Sequence, residues 1–77
     1  MTYSDKAENL LRDVALELVE MAREAKQKAT ASGSDYDEGR HFAFYEAVSL
    51  IRQQAKVFGL SLDRIGLGEL DVDDELL

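Results

Sequence analysis

Apolar residues recur at the helical period along residues 34–60. Phe44, Val48, Ile51, Ala55 and Phe58 are separated by four, three, four and three positions, which puts all five on one face of a helix. Ala43, Ala47, Leu50 and Val57 widen that stripe on one side, so the apolar arc spans roughly half the circumference. One partner helix cannot cover an arc that broad, and a second contact is predicted, from another element or a second copy of the chain. A similar stripe runs earlier: Ala7, Leu11, Val14, Leu18, Met21 and Ala25 alternate spacings of four and three. Ala15, Ala22 and Ala29 flank it at intervals of seven. Alanine there either lets a second helix approach closely or simply favours helix formation. Leu16 and Val19 lie to one side of the stripe and suggest a second contact surface.

Start and stop signals bracket both stretches. Ser4 or Asp5 can cap the first helix, with Thr2 as an alternative. The connection, Thr30 to Ser34, is short and made of turn formers, which makes the two helices antiparallel neighbours. Ser34 or Asp35 can cap the second helix. Asp35 with Glu38 is the better match to a reciprocal cap, and Asp35, Asp37 and Glu38 suit the positive end of the helix dipole. Gly59 followed by Leu60 is the pattern of a helix stop in which glycine takes the left-handed conformation. Ser61 can then cap one turn, Leu62 to Ile65, ended by Gly66, with Leu60, Leu62, Ile65 and Leu67 folding back on the helices.

The predicted fold class is therefore all-α. A long antiparallel helical hairpin, with helices at about 4–31 and 35–58, carries a short C-terminal helical turn, and two hairpins pair into a four-helix bundle. Residues 1–68 form the hairpin domain, and residues 69–77 form an acidic C-terminal tail that is expected to be flexible, as chain ends usually are.

Composition sharpens this picture. A chain of 77 residues with no cysteine has neither a disulfide nor a thiolate metal site to supplement a small core, which leaves oligomerisation as the common remedy. Sixteen acids against nine Lys and Arg give a net charge of −7, which argues against nucleic acid and against an anionic membrane surface. No apolar run is long enough to span a bilayer, and the first ten residues lack the apolar stretch of a signal peptide, so a cytoplasmic location is expected.

Candidate chemistry is sparse. Asp37 and His41 stand one helical turn apart, and Glu38 with His41 has the Glu-x-x-His spacing that dinuclear carboxylate bundles use. In an antiparallel hairpin the far end of the first helix brings Glu24 or Glu20 near. Two chains would then match the ligand count of a dinuclear site, which resembles that of ferritin-like proteins. A metal set of Glu24, Asp37, Glu38 and His41 is thus one expectation; the other is that Asp37 and Glu38 act only as first-turn carboxylates. Asp13, Glu17, Glu20 and Glu24 form an acidic stripe on the first helix. It is either a solvated face or one met by Arg40 within the chain, or by Arg52 and Lys56 of another copy. Phe42 falls on the otherwise polar side of the second helix; it is either a lone exposed aromatic or, with Tyr45, a contact patch.

No nucleophile–base pair, phosphate loop or cofactor motif is present, so neither catalytic nor cofactor-binding residues are expected. The preferred reading is a non-enzymatic protein–protein interaction or regulatory module, homodimeric, with Leu16, Val19, Phe42, Leu50 and Val57 as interface residues and an unidentified protein as a further partner. The alternatives are a metal-binding bundle built on the Glu-x-x-His pair, and an adaptor whose acidic tail docks a basic partner.

Overall fold

The structure, a computed structural model, describes residues 3–77. It is all-helical: α1 (Tyr3–Ser32), α2 (Asp35–Val57), a 3₁₀ turn (Asp63–Ile65) and α3 (Val72–Leu76). The cap expected from Thr2 and the Ser4 side chain lie outside the described residues, and Asp5 sits in the first turn of α1. No helix among the described residues is long and apolar enough to cross a membrane.

Two residues reverse the chain. The Gly33 amide donates to the Ala29 carbonyl (2.9 Å), closing α1, and Ser34, extended at ψ 150°, accepts from the Asp37 amide (3.1 Å), opening α2. Ser34 and not Asp35 is the cap, because so short a link leaves Asp35 already helical. The stop of α2 is the one predicted: Gly59 has φ 71°, Leu60 donates to the Ala55 carbonyl (2.8 Å) and Gly59 to that of Lys56 (3.1 Å). The 3₁₀ turn repeats this ending, with Gly66 at φ 80° and Leu67 donating to Leu62 (2.9 Å). Its start differs from expectation. Ser61 offers its backbone carbonyl to Arg64 (3.2 Å), and no side chain caps the turn.

Small residues set the distance between the long helices. Ala15 and Ala22 of α1 are buried in one cluster with Val48 and Ala55 of α2. The alanines spaced by seven are thus the contact line of the hairpin, and their size is what lets α2 approach. Ala25 and Ala29 extend the buried line toward the turn. Leu11 and Leu18 pack beside it half-buried, whereas Val14 and Met21, predicted on the same inner stripe, remain exposed. On α2, Phe44 and Ile51 flank Val48 in the same way, and Phe58 is exposed.

The remainder of the chain covers one side of the hairpin, here termed the underside. Ile65 and Leu67 are fully buried against it and Leu62 is half-buried, while Leu60 stays largely outside. A bidentate pair, Arg64 Nε and Nη2 to Glu8 Oε1 and Oε2 (2.6 and 2.9 Å), fastens this turn to the start of α1. Residues 69–77, expected as a flexible tail, instead carry α3, with Val72 and Leu76 completely buried. The physical reason is a pair of apolar residues at i and i+4 that the hairpin can accept on one face, together with backbone groups satisfied at both helix ends.

Among the described residues, no segment covers the opposite side. The radius of gyration is 13.6 Å, where a compact 77-residue domain is expected at about 11.5 Å. The accessible surface is 5358 Å² against roughly 4,700 Å² for a compact monomer of this size.

Candidate functional site

The underside holds a set of side-chain contacts that joins the C-terminal segment to both long helices. α3 begins with Asp71, whose carboxylate accepts from the Asp74 amide (3.1 Å), while Glu75 Oε2 accepts from the Asp71 amide (2.9 Å). Reciprocal bonds of this kind satisfy the donors a helix start leaves free. The C-terminal carbonyls of α3 are satisfied by the hairpin. Lys26 Nζ of α1 donates to the Glu75 carbonyl (3.1 Å), and His41 Nε2 of α2 lies 2.6 Å from the Leu76 carbonyl oxygen. A carbonyl only accepts, so Nε2 carries the proton there. Two further side chains grip the acids: Tyr45 donates its hydroxyl to Asp73 Oδ1 (2.5 Å), and Arg23 lies 3.7 Å from Glu75 Oε1. The Asp73 carboxylate holds the Tyr45 hydroxyl above its ordinary pKa, because ionisation would break that bond and set two negative charges together; desolvation adds to the shift.

Arg23 and Lys26 were not foreseen as site residues, Tyr45 was expected only with Phe42 in a contact patch, and the C-terminal segment only as a flexible tail or one that docks a basic partner. The available signal was modest: Arg23 and Lys26 stand three apart on α1, and Val72 and Leu76 four apart behind a capping Asp71.

The expected metal set is not assembled. Among the described residues no group of three or more His, Cys, Asp or Glu is placed to hold a metal ion. His41 faces α3. Asp37 takes a hydrogen bond from the Ser32 hydroxyl (2.5 Å), which, with Ser34 and the nearby Lys28 and Arg40, keeps its carboxyl below the ordinary value against a smaller opposing effect of desolvation. Glu38 and Glu24 are exposed. At 100° per residue, Glu24 lies on the back of α1, half a turn from Ala15, and so points away from α2. Asp13, Glu17 and Glu20 share that back and are likewise exposed within the chain. Arg40 does not reach it; its guanidinium carbon sits 5.0 Å from the centre of the Phe44 ring.

The expected interface residues divide. Val19 belongs to the core under the C-terminal segment, since the underside is where that segment packs. Leu16 is partly exposed and lies against Gly66, where an added Cβ would come within 2.9 Å of Leu16 Cδ2. Phe42 is exposed beside Tyr45, with ring centres 6.0 Å apart. Leu50 and Val57 are 55% and 75% exposed. Leu50 joins Leu11, Ile51, Gln54, Phe58 and Leu60 around a concavity at the open end of the hairpin.

That concavity belongs to a larger open face. By helical geometry, Leu10, Val14, Leu18 and Met21 of α1 and Phe44, Ala47, Ile51, Gln54 and Phe58 of α2 turn to the side away from α3. Leu10, Val14, Met21 and Phe58 are exposed there. No carboxylate is among these residues, in a chain where acids outnumber Lys and Arg sixteen to nine. The hairpin thus has two functional candidates back to back, a clasped underside and an uncovered apolar face. The chain matches no protein-family model, no curated protein and no solved structure.

Proposed function

We propose that this chain is a small non-enzymatic interaction module that pairs with a second copy of itself through the open apolar face, the two hairpins forming a four-helix bundle. The observation that carries this reading is the absence of acids from an exposed apolar face that runs along both long helices. Exposed apolar surface of that extent marks a contact site in soluble proteins. A face about 35 Å long, from 23 residues at 1.5 Å each, and two helices wide at about 9 Å per helix buries on the order of 600 Å² per copy, at the lower end of specific interfaces. Two chains of charge −7 repel, so pairing strengthens as salt screens them.

The reading in which the acidic tail reaches for a basic partner has less support, because Asp73 and Glu75 are already engaged by Tyr45 and Arg23. The experiment is size-exclusion chromatography with light scattering on the parent chain and on Val14→Asp and Leu50→Asp. Both positions are exposed within one chain, so each variant keeps its helicity. The parent runs at twice the chain mass and each variant at the single mass. Equal masses for all three proteins would overturn the proposal.

A further inference from the structure

The underside contacts describe a recognition surface as well as a piece of fold. A five-residue helix is far too short to hold its conformation alone, so the hairpin imposes it. The grip uses two apolar anchors, Val72 and Leu76, and four polar side chains from two different helices: Arg23 and Lys26 of α1, His41 and Tyr45 of α2. Each of these reads something that any acidic helical segment offers, namely terminal carbonyls for Lys26 and His41 and carboxylates for Arg23 and Tyr45. Charge is complementary: the segment carries Asp71, Asp73, Asp74 and Glu75, and the surface beside it carries Lys26 and Arg23, the latter 3.7 Å from Glu75. The segment joins the rest of the chain through residues 68–71, where Leu70 donates to the Leu67 carbonyl (3.3 Å) and packs half-buried against the core, and Ile65 and Leu67 lie in the same buried cluster as Val72 and Leu76.

We propose that the underside groove is a peptide-recognition site for a partner's short acidic helix with apolar residues at i and i+4 and a carboxylate following the first of them, and that residues 71–76 of the chain are its resident, displaceable occupant. Recognition of this kind is helix-in-groove binding with one turn of anchors. The resident competes at the high effective concentration of a tethered segment, so an outside peptide binds well only when the resident is expelled. The site lies on the opposite side from the self-association face and stands or falls separately from it.

The test uses the full chain with Val72→Asp and Leu76→Asp to expel the resident. The probe is a fluorescein-labelled peptide of sequence ELDVDDELL, the chain's own residues 69–77. Fluorescence anisotropy is expected to show binding at least tenfold tighter to this variant than to the parent. Adding Arg23→Glu and Lys26→Glu to the variant should abolish it, and a peptide of the same composition with its apolar residues moved off the i, i+4 spacing should not bind. No binding to an expelled variant that stays helical, or equal binding of the rearranged peptide, would overturn the proposal. Hydrogen exchange on the unmodified chain gives a second, independent reading. The Glu75 amide, bonded to the Asp71 carbonyl (2.8 Å), is expected to exchange at least a hundredfold faster than the amides of Val48 and Ala55. Exchange of Glu75 as slow as that of the hairpin core would mean that the groove is vacated only by unfolding, which contradicts a displaceable occupant.

Discussion

Leu76→Ala measures what the C-terminal helix contributes. Leu76 is fully buried, in one cluster with Val19 and Ala22 of the hairpin. The substitution removes about three methylene equivalents, which at about 0.8 kcal/mol each gives ~2.5 kcal/mol, and the residual cavity adds to this. A chain of 77 residues is expected to have a total stability of about 4–12 kcal/mol, so the loss is a large fraction of the whole. For a domain this size it lowers Tm by about 10–20 °C. The loss has a ceiling: once the segment detaches, further damage to it costs nothing, so the effect cannot exceed the free energy of docking. Val72→Ala combined with Leu76→Ala reads that ceiling directly, because a double variant less destabilised than the sum of the singles reports the docking energy. Thermal and urea unfolding followed by helical circular dichroism supply the numbers, and Leu77→Ala, at an exposed position, is the control, expected within about 0.5 kcal/mol of the parent. If Leu76→Ala also fell within about 0.5 kcal/mol, the segment would contribute nothing to the fold and the docking argument would fail.

Three further outcomes follow from the packing and the charges. Ala22→Leu should lower the urea midpoint by an amount equivalent to about 1–3 kcal/mol through overpacking between α1 and α2; a neutral result would mean Ala22 serves helix propensity alone, since leucine ranks close to alanine on that scale. Gly68→Ala should destabilise, because its Cβ would overlap the Asp63 carboxylate, and Asp63→Ala in the same chain should recover part of the loss; a neutral Gly68→Ala would contradict the close approach. Tyr45 is held above pKa 10 by Asp73, so its contribution to docking is complete below pH 10 and fades as pH rises through the higher folded value. Tyrosinate absorbance at 295 nm should therefore show one residue titrating late, and Asp73→Asn should return it toward the ordinary range; identical titrations would rule out the contact.

The hairpin was legible because its signals are local. The period of the apolar residues, the turn formers between residues 30 and 34, and the glycine–leucine stop at residues 59–60 each act within one or two turns, and each holds in the structure. The side each face turns to was less legible. The apolar arc of α1 runs from Met21 and Val14 through Ala15 and Ala22 to Val19 and Leu16, and periodicity locates the arc without saying which neighbour fills each edge. The C-terminal segment takes the Val19 edge and leaves the Val14 edge open, the reverse of the assignment that made Leu16 and Val19 association residues. α3 was missed because two apolar residues among four acids give little periodic signal; its burial depends on partners on both long helices. The Glu-x-x-His spacing says little for a related reason. It fixes two side chains on one turn of α2 but carries no information on Glu24, which faces away on α1.

Self-association through the open face is the central claim, and native mass spectrometry of the unmodified chain across a range of concentrations tests it most directly. The account predicts a species of twice the chain mass that grows with concentration and with added salt. A single-chain mass at every concentration, up to the hundred-micromolar range expected to populate even a weak interface of this size, would contradict it.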